Sequence, residues 1–250
     1  WNALGVHDQE QRTDAYFGLI RNFRRWSWLL IYLFGASPAV CRSFIQNLDH
    51  RLDPFNEGTY YLPYATSLRM GRLGYQSDAQ SEMHVSYNSL DAYSKSMREG
   101  LTKTHSEYAQ FQPTADGEYQ QLNDSILQIE NEFYSAIRPK RTAGSGETPL
   151  HALEQGGVEY IEVRCVDLNP LVAAGIDEST IQFLDTFLLF CLLEDSPETN
   201  NEEYARIPQN NIRTVYQGRD PSLHLLRDGS EVTLRDWGHE LMASLEPIAS

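Results

Sequence analysis

Cysteine is scarce in this chain of 250 residues: Cys41, Cys165 and Cys191 are the three, widely spaced and odd in number. They offer neither a disulfide framework nor metal-knuckle spacing, which favours a reducing compartment and a cytoplasmic location. Long apolar runs are missing too. The stretch 26–36 follows Arg24-Arg25 and is too short to span a bilayer, so it reads as a core helix and no membrane partner is expected. Positive charge is in deficit: 20 Lys and Arg against 35 Asp and Glu leave a net charge of −15, which argues against nucleic acid as a partner. The seven histidines fall in no HExxH or similar spacing, which argues against zinc. There is no GxSxG elbow, no Walker-type loop, and no GxGxxG after a strand, so an ATP site here needs a different architecture. The chain opens on Trp1 with no initiator Met, signal peptide or transit peptide, a start that fits an internal piece of a longer protein.

What is present is ordinary for a globular protein: 41% hydrophobic and 22% charged residues, enough for one large domain or two small ones. Apolar periodicity predicts a helix over 10–36, capped by Thr13 or Asp14 and ended by Gly35 and Pro38. Further helices are expected over 90–102, capped by Asn88 or Ser89, and over 178–193, starting near Asp177. Another should cover 201–217, interrupted at Pro208, and a last one 236–245. Residues 47–57 read as a loop, and 60–75 as an irregular, tyrosine-dense segment. Cys41 and Cys191 sit among apolar residues and read as core.

Two segments carry strand patterns. Over 122–137, Leu127, Ile129, Phe133 and Ile137 share one face, interrupted by Asn131, while Gln128, Glu130, Glu132 and Tyr134 share the other. Arg138-Pro139-Lys140-Arg141 should terminate this strand. The second segment is 158–165, with Val158, Tyr160, Glu162 and Arg164 on one face and Ile161, Val163 and Cys165 on the other. A short strand is expected at 232–234. Helices and strands mix without a βαβ rhythm, so the fold class is α+β.

The Glu162/Arg164 pair admits two readings. It is either the wet face of a strand with a cross-strand salt bridge, or a carboxylate for a hard divalent metal beside a guanidinium for a phosphate. If the two strand segments pair antiparallel, Tyr134 and Gln128 are the nearest polar neighbours, and the Gly/Ser-rich loop 142–148 covers them. Arg69 among Tyr60, Tyr61, Tyr64 and Tyr75 either binds the carboxylate of a small ligand or stacks in a packed loop.

Five blocks add a resemblance. YLFGASPAVC (32–41), YYLPYATSLRMGRLGY (60–75), LQIENEFYSAIRPKR (127–141), SGETP (145–149) and GGVEYIEVRCVDLNP (156–170) together resemble the bacterial glutamate–cysteine ligases, in that family's order and spacing. The resemblance implies a glutamine-synthetase-like fold, in which an antiparallel sheet funnel with flanking helices takes ATP, Mg²⁺ (or Mn²⁺), L-glutamate and L-cysteine. It implies that ATP phosphorylates the glutamate γ-carboxylate and that the cysteine amine displaces the phosphate, the first step of glutathione biosynthesis. By the same resemblance Glu162 is a metal ligand, and Arg164 is the catalytic contact of the transferred phosphoryl group and part of the ATP site. Arg69, Tyr75 and Tyr134 are cysteine-site residues, Asn131 belongs to the nucleotide region, and Arg138 and Lys140 give electrostatic support. Residues 1–250 then form a partial catalytic domain, an internal fragment lacking N-terminal and C-terminal parts, with an incomplete metal site and no activity in isolation. A related ligase with another acceptor amine, or a non-catalytic fragment, is the alternative.

Overall fold

The computed structural model describes residues 1–46, 48–73, 78–81, 83–111 and 116–249, apart from the side chains at 78 and 81. In chain order the elements begin with α1 (Gln9–Phe34), β1 (Ala39–Cys41), α2 (Arg42–Ile45), β2 (Asp53–Asn56) and β3 (Thr59–Tyr61). There follow α3 (Asp78–Ser81), α4 (Leu90–Thr102), β4 (Ile137–Lys140), α5 (Pro149–Gly156) and β5 (Tyr160–Val163). The chain closes with α6 (Glu178–Leu193), α7 (Asn201–Gln217), β6 (His224–Arg227), β7 (Ser230–Thr233) and α8 (Leu234–Ala249). The described strands make one three-stranded and two two-stranded sheets among these helices, an α+β fold as expected. The chain divides into two compact units: Trp1–Phe17 with Gln76–Glu162, and Gly18–Tyr75 with Val163–Ser250.

In the first unit, the start of α1 is set by Asp8, whose Oδ1 accepts the Gln11 N–H at 2.8 Å. Thr13, expected as the cap, lies inside the helix instead. Its hydroxyl donates to Gln9 O at 2.8 Å and accepts the Val158 N–H at 3.1 Å, tying α1 to the lead-in of β5. The cap fell on Asp8 because its carboxylate lies three residues ahead of a first-turn N–H that has no intrahelical acceptor. Ser89 caps α4, its side chain accepting the Ala92 N–H at 3.1 Å. Tyr87, Tyr93, Met97, Leu127, Phe133, Ile137, Leu150 and Leu153 are buried and form the core here.

The strand expected over 122–137 is not formed. A 3₁₀ turn, Glu130–Glu132, breaks it, and Ile137-Arg138-Pro139-Lys140, all but the first residue expected to end a strand, is itself β4. Glu132 helps to explain the break, since its side chain takes a backbone donor that a sheet partner would otherwise use, while Glu130 reaches away to the first turn of a helix. Glu132 Oε2 accepts the Gln128 N–H at 2.6 Å, and Glu130 Oε2 accepts the Leu150 N–H at the start of α5 at 2.7 Å. Among the described residues β4 pairs only with β5, so Pro139 has no second strand there to satisfy.

In the second unit, β1, β3 and β2 pair antiparallel in that order, with Ala39 opposite Tyr61 and Asp53 opposite Tyr61 on the other side. Residues 53–56, expected as loop, are therefore an edge strand; all four are exposed, so no apolar alternation marks them. Asp228 (φ 47°) and Gly229 (φ 81°) make the turn of the β6–β7 hairpin, the left-handed pair that a two-residue connection demands. Asp177 caps α6 and Asn200 caps α7, which runs through Pro208 without ending there. The apolar second half of α1 is buried as its composition requires: Phe23 meets Phe187 of α6 at 5.6 Å, and Trp28 meets Trp237 of α8 at 4.8 Å. Gly35 follows the end of α1, where a Cβ would come within 2.8 Å of the Thr66 backbone and only glycine fits.

Candidate functional site

Glu162 lies on β5, and its Oε2 is 3.8 Å from Lys140 Nζ on the paired strand β4. The cross-strand partner of the plainer reading therefore exists, at a distance too long for a hydrogen bond. Among the described residues nothing donates a hydrogen bond to Glu162 Oε2, which is buried although the side chain as a whole is 40% exposed. A carboxylate oxygen in that condition is under-satisfied, and a cation seated against it relieves the cost. Among the described residues no group of three or more His, Cys, Asp and Glu side chains is placed to hold a metal.

Asn131 and Tyr134 sit in and just after the Glu130–Glu132 turn, and their backbone is held from several sides. The Gln80 amide donates through Nε2 to Glu132 O at 2.7 Å and accepts the Tyr134 N–H through Oε1 at 3.1 Å, the pattern of a strand partner made by one side chain. Arg138, buried, donates to Asn131 O at 3.2 Å. Asn131 itself is exposed and Tyr134 half-buried. Asn131 and Arg138 also line a cavity of about 30 Å³, room for a water molecule and not for a base. Tyr75 lies outside the described residues.

Arg69 occupies the middle of a 3₁₀ turn, Leu68–Met70, in the second unit. Its Nε donates to Asp167 Oδ1 at 2.6 Å, and both terminal nitrogens reach Arg164 O at 3.2 Å. Nη2 also donates to Val166 O at 3.0 Å. The carboxylate that Arg69 binds here is thus one of the chain's own. Asp167 further accepts the Ala36 N–H at 2.9 Å and the Ser37 hydroxyl at 2.7 Å. Burial pushes the Asp167 carboxyl up, and the bonds from Arg69, Ala36, Ser37 and Ser67 outweigh it and hold the group below its usual range. Arg164 is half-buried, with its carbonyl fixed by Arg69.

The cysteines divide sharply. Burial pushes the Cys165 thiol up to about 12, and Cys191 is likewise raised by burial, so both are inert core residues. Cys41, expected in the core, is exposed, because β1 turns it outward; the Ser43 hydroxyl 3.1 Å away lowers its pKa.

Asp167 and Gln80 are site-building residues that sequence reasoning missed. Asp167 left little signal, being the third acid of the block 156–170 after Glu159 and Glu162. Gln80 left none, since an uncharged amide in a polar segment carries no pattern.

The sequence pattern of the family described as Glutamate-cysteine ligase matches residues 2–215. A glutamate–cysteine ligase of Pseudomonas putida is 48% identical over 244 residues, covering 98% of this chain and 46% of the relative. That of Saccharophagus degradans is 50% identical over 245 residues, covering 96% and 46%. This chain spans about half the length of the curated relatives it matches. Among solved structures, glutamate–cysteine ligase of Francisella tularensis in complex with AMP superposes with a TM-score of 0.89 at 39% identity, covering 94% of this chain and 48% of that one. A bifunctional glutathione synthetase of Pasteurella multocida shares the fold, with a TM-score of 0.64 at 23% identity over 97% of this chain and 26% of that one. With the family pattern running almost from the first residue to Val215, and near-half identity to named members along nearly its whole length, this chain belongs to the glutamate–cysteine ligase family.

Proposed function

We propose that this family member joins the γ-carboxylate of L-glutamate to the amine of L-cysteine at the expense of ATP, the first step of glutathione biosynthesis. The observation that carries the reading is the likeness, along 94% of the chain, to a glutamate–cysteine ligase whose structure holds AMP. In this reaction the glutamate γ-carboxylate takes the terminal phosphoryl group of ATP, and the cysteine amine displaces phosphate from the γ-glutamyl phosphate.

Glu162 would hold a divalent ion, Mg²⁺ or Mn²⁺, and its buried, unbonded Oε2 is a donor of the hard type such ions take. When bound, that ion neutralises charge on the phosphates. Arg164 is assigned to the transferring phosphoryl group, where a fixed guanidinium stabilises charge that spreads over the equatorial oxygens. Arg69, Tyr75 and Tyr134 are assigned to the cysteine site, and Asn131 to the nucleotide region. Residues 1–250 then constitute a partial catalytic domain, and its compartment is the cytoplasm, in line with three cysteines that lack a disulfide framework.

ADP release by the full native chain, measured with glutamate in the presence and absence of cysteine, tests the reading. Cysteine-dependent turnover is the expected result. Turnover that needs a different amine would reassign the acceptor, and no turnover with any amine would overturn the enzymatic reading.

A further inference from the structure

We propose that Asp167 is a positioning residue of the ligase site: its buried carboxylate fixes the Arg69 guanidinium and, through it, the backbone from Arg164 to Val166. The inference rests on the proposed reading that Arg69 and Arg164 serve the reaction, and adds a residue that touches neither phosphate nor substrate.

Asp167 is only 6% exposed, and a carboxylate so placed is costly unless donors surround it. Two segments supply them. The end of α1 gives the Ala36 N–H and the Ser37 hydroxyl, at 2.9 and 2.7 Å to Oδ2. The 3₁₀ turn gives Arg69 Nε at 2.6 Å to Oδ1. Ser67, fully buried at the head of that turn, lies 3.2 Å from the Ser37 hydroxyl and lends the carboxylate further support. The Arg69 fork then carries the constraint onward, because its planar nitrogens cannot turn without breaking bonds at both ends. Nη1 and Nη2 hold Arg164 O at 3.2 Å, and Nη2 holds Val166 O at 3.0 Å. The direction in which the chain leaves Arg164 is thereby set from Asp167.

The test uses D167N, R69K and the double variant in the full native chain. Asn keeps the size but turns an amide donor toward the Ala36 N–H or the Arg69 Nε–H. Lys keeps the charge but loses the fork. Each single variant should lower kcat by about tenfold to hundredfold, the scale of a reacting group displaced by an ångström, with KM for ATP within about twofold. The double variant should fall no further than the worse single one, because both changes break one device. Independently of activity, amide hydrogen exchange over residues 163–168 should speed up in D167N and R69K while α6 stays as in the parent. Parental kcat in D167N, or losses that multiply in the double variant, would overturn the inference. If the parent chain has no ligase activity the proposed function fails, and exchange decides alone: rates over 163–168 equal to the parent's would overturn the clamp, and faster rates would uphold it. Should D167N not fold, R69K carries the same two readouts.

Discussion

Glu162 and Asp167 lie five residues apart, and the chain treats their carboxylates in opposite ways. Asp167 is sealed: Arg69, Ala36 and Ser37 all donate to it at 2.9 Å or less. Glu162 is left half-open, with a lysine at 3.8 Å and a buried oxygen that accepts no hydrogen bond from the described residues. A carboxylate supplied in full by its own chain organises backbone, whereas one left short of donors is ready for a cation from outside. Local sequence does not separate them, since each follows an apolar residue in the same strand-patterned block. Distant donors make the difference.

That contrast can be broken from either side. The largest expected effect is on activity: Glu162→Gln should reduce metal-dependent ADP release by about a hundredfold in the full native chain, at the lower end of the effect of losing one strong electrostatic contact. Its stability should barely move, because the Lys140 contact is a long, partly exposed pair. Near-parental turnover over a Mg²⁺ titration would remove Glu162 from the metal site.

On stability the order reverses. Asp167→Asn should cost about 3 kcal/mol in urea unfolding, the low end for a broken buried pair because the Arg69 side chain is 28% exposed. The pH dependence follows from the sign of the shift. Asp167 is held below its ordinary 3.8, so its contribution is complete above that value and is lost as pH falls through the lower folded value. The parent chain should therefore lose stability between about pH 5 and about pH 2 more steeply than D167N. Equal acid slopes would show that Asp167 is not ionised in its pocket.

The smallest effect sharpens the comparison. Lys140→Met should change stability by less than about 1 kcal/mol, since a surface pair at this distance contributes little. A loss as large as that of D167N would mean that Glu162 is sealed by Lys140 much as Asp167 is by Arg69.

Helices were legible in part: α4, α6 and α7 were expected, whereas the capping of α1 by Asp8 and the whole of α5, capped by Thr148, were not. Ser89, Asp177 and Asn200 each place an oxygen three residues ahead of an unpaired N–H, and α4, α6 and α7 begin where those residues imply. Pattern alone failed over 122–137, because period-two alternation does not reveal that Glu130 and Glu132 will spend their carboxylates on backbone donors. The Asp228-Gly229 turn was not among the expectations, and its first strand, His224–Arg227, has no alternation to announce it. In the site, Glu162 and Arg164 stood out through strand alternation. The partners of Asp167 did not: Ala36, Ser37 and Arg69 are 131, 130 and 98 residues away along the chain.

The amino-acid sequence by itself determined the acidic balance, the scarcity of cysteine, the capped helices and the family's motif blocks, all of which depend on composition or on neighbours a few residues apart. Only the tertiary structure decided which carboxylate is sealed, which is left open and which backbone Arg69 grips. Burial and hydrogen-bond satisfaction are properties of groups brought together from distant parts of the chain, and no local pattern encodes them.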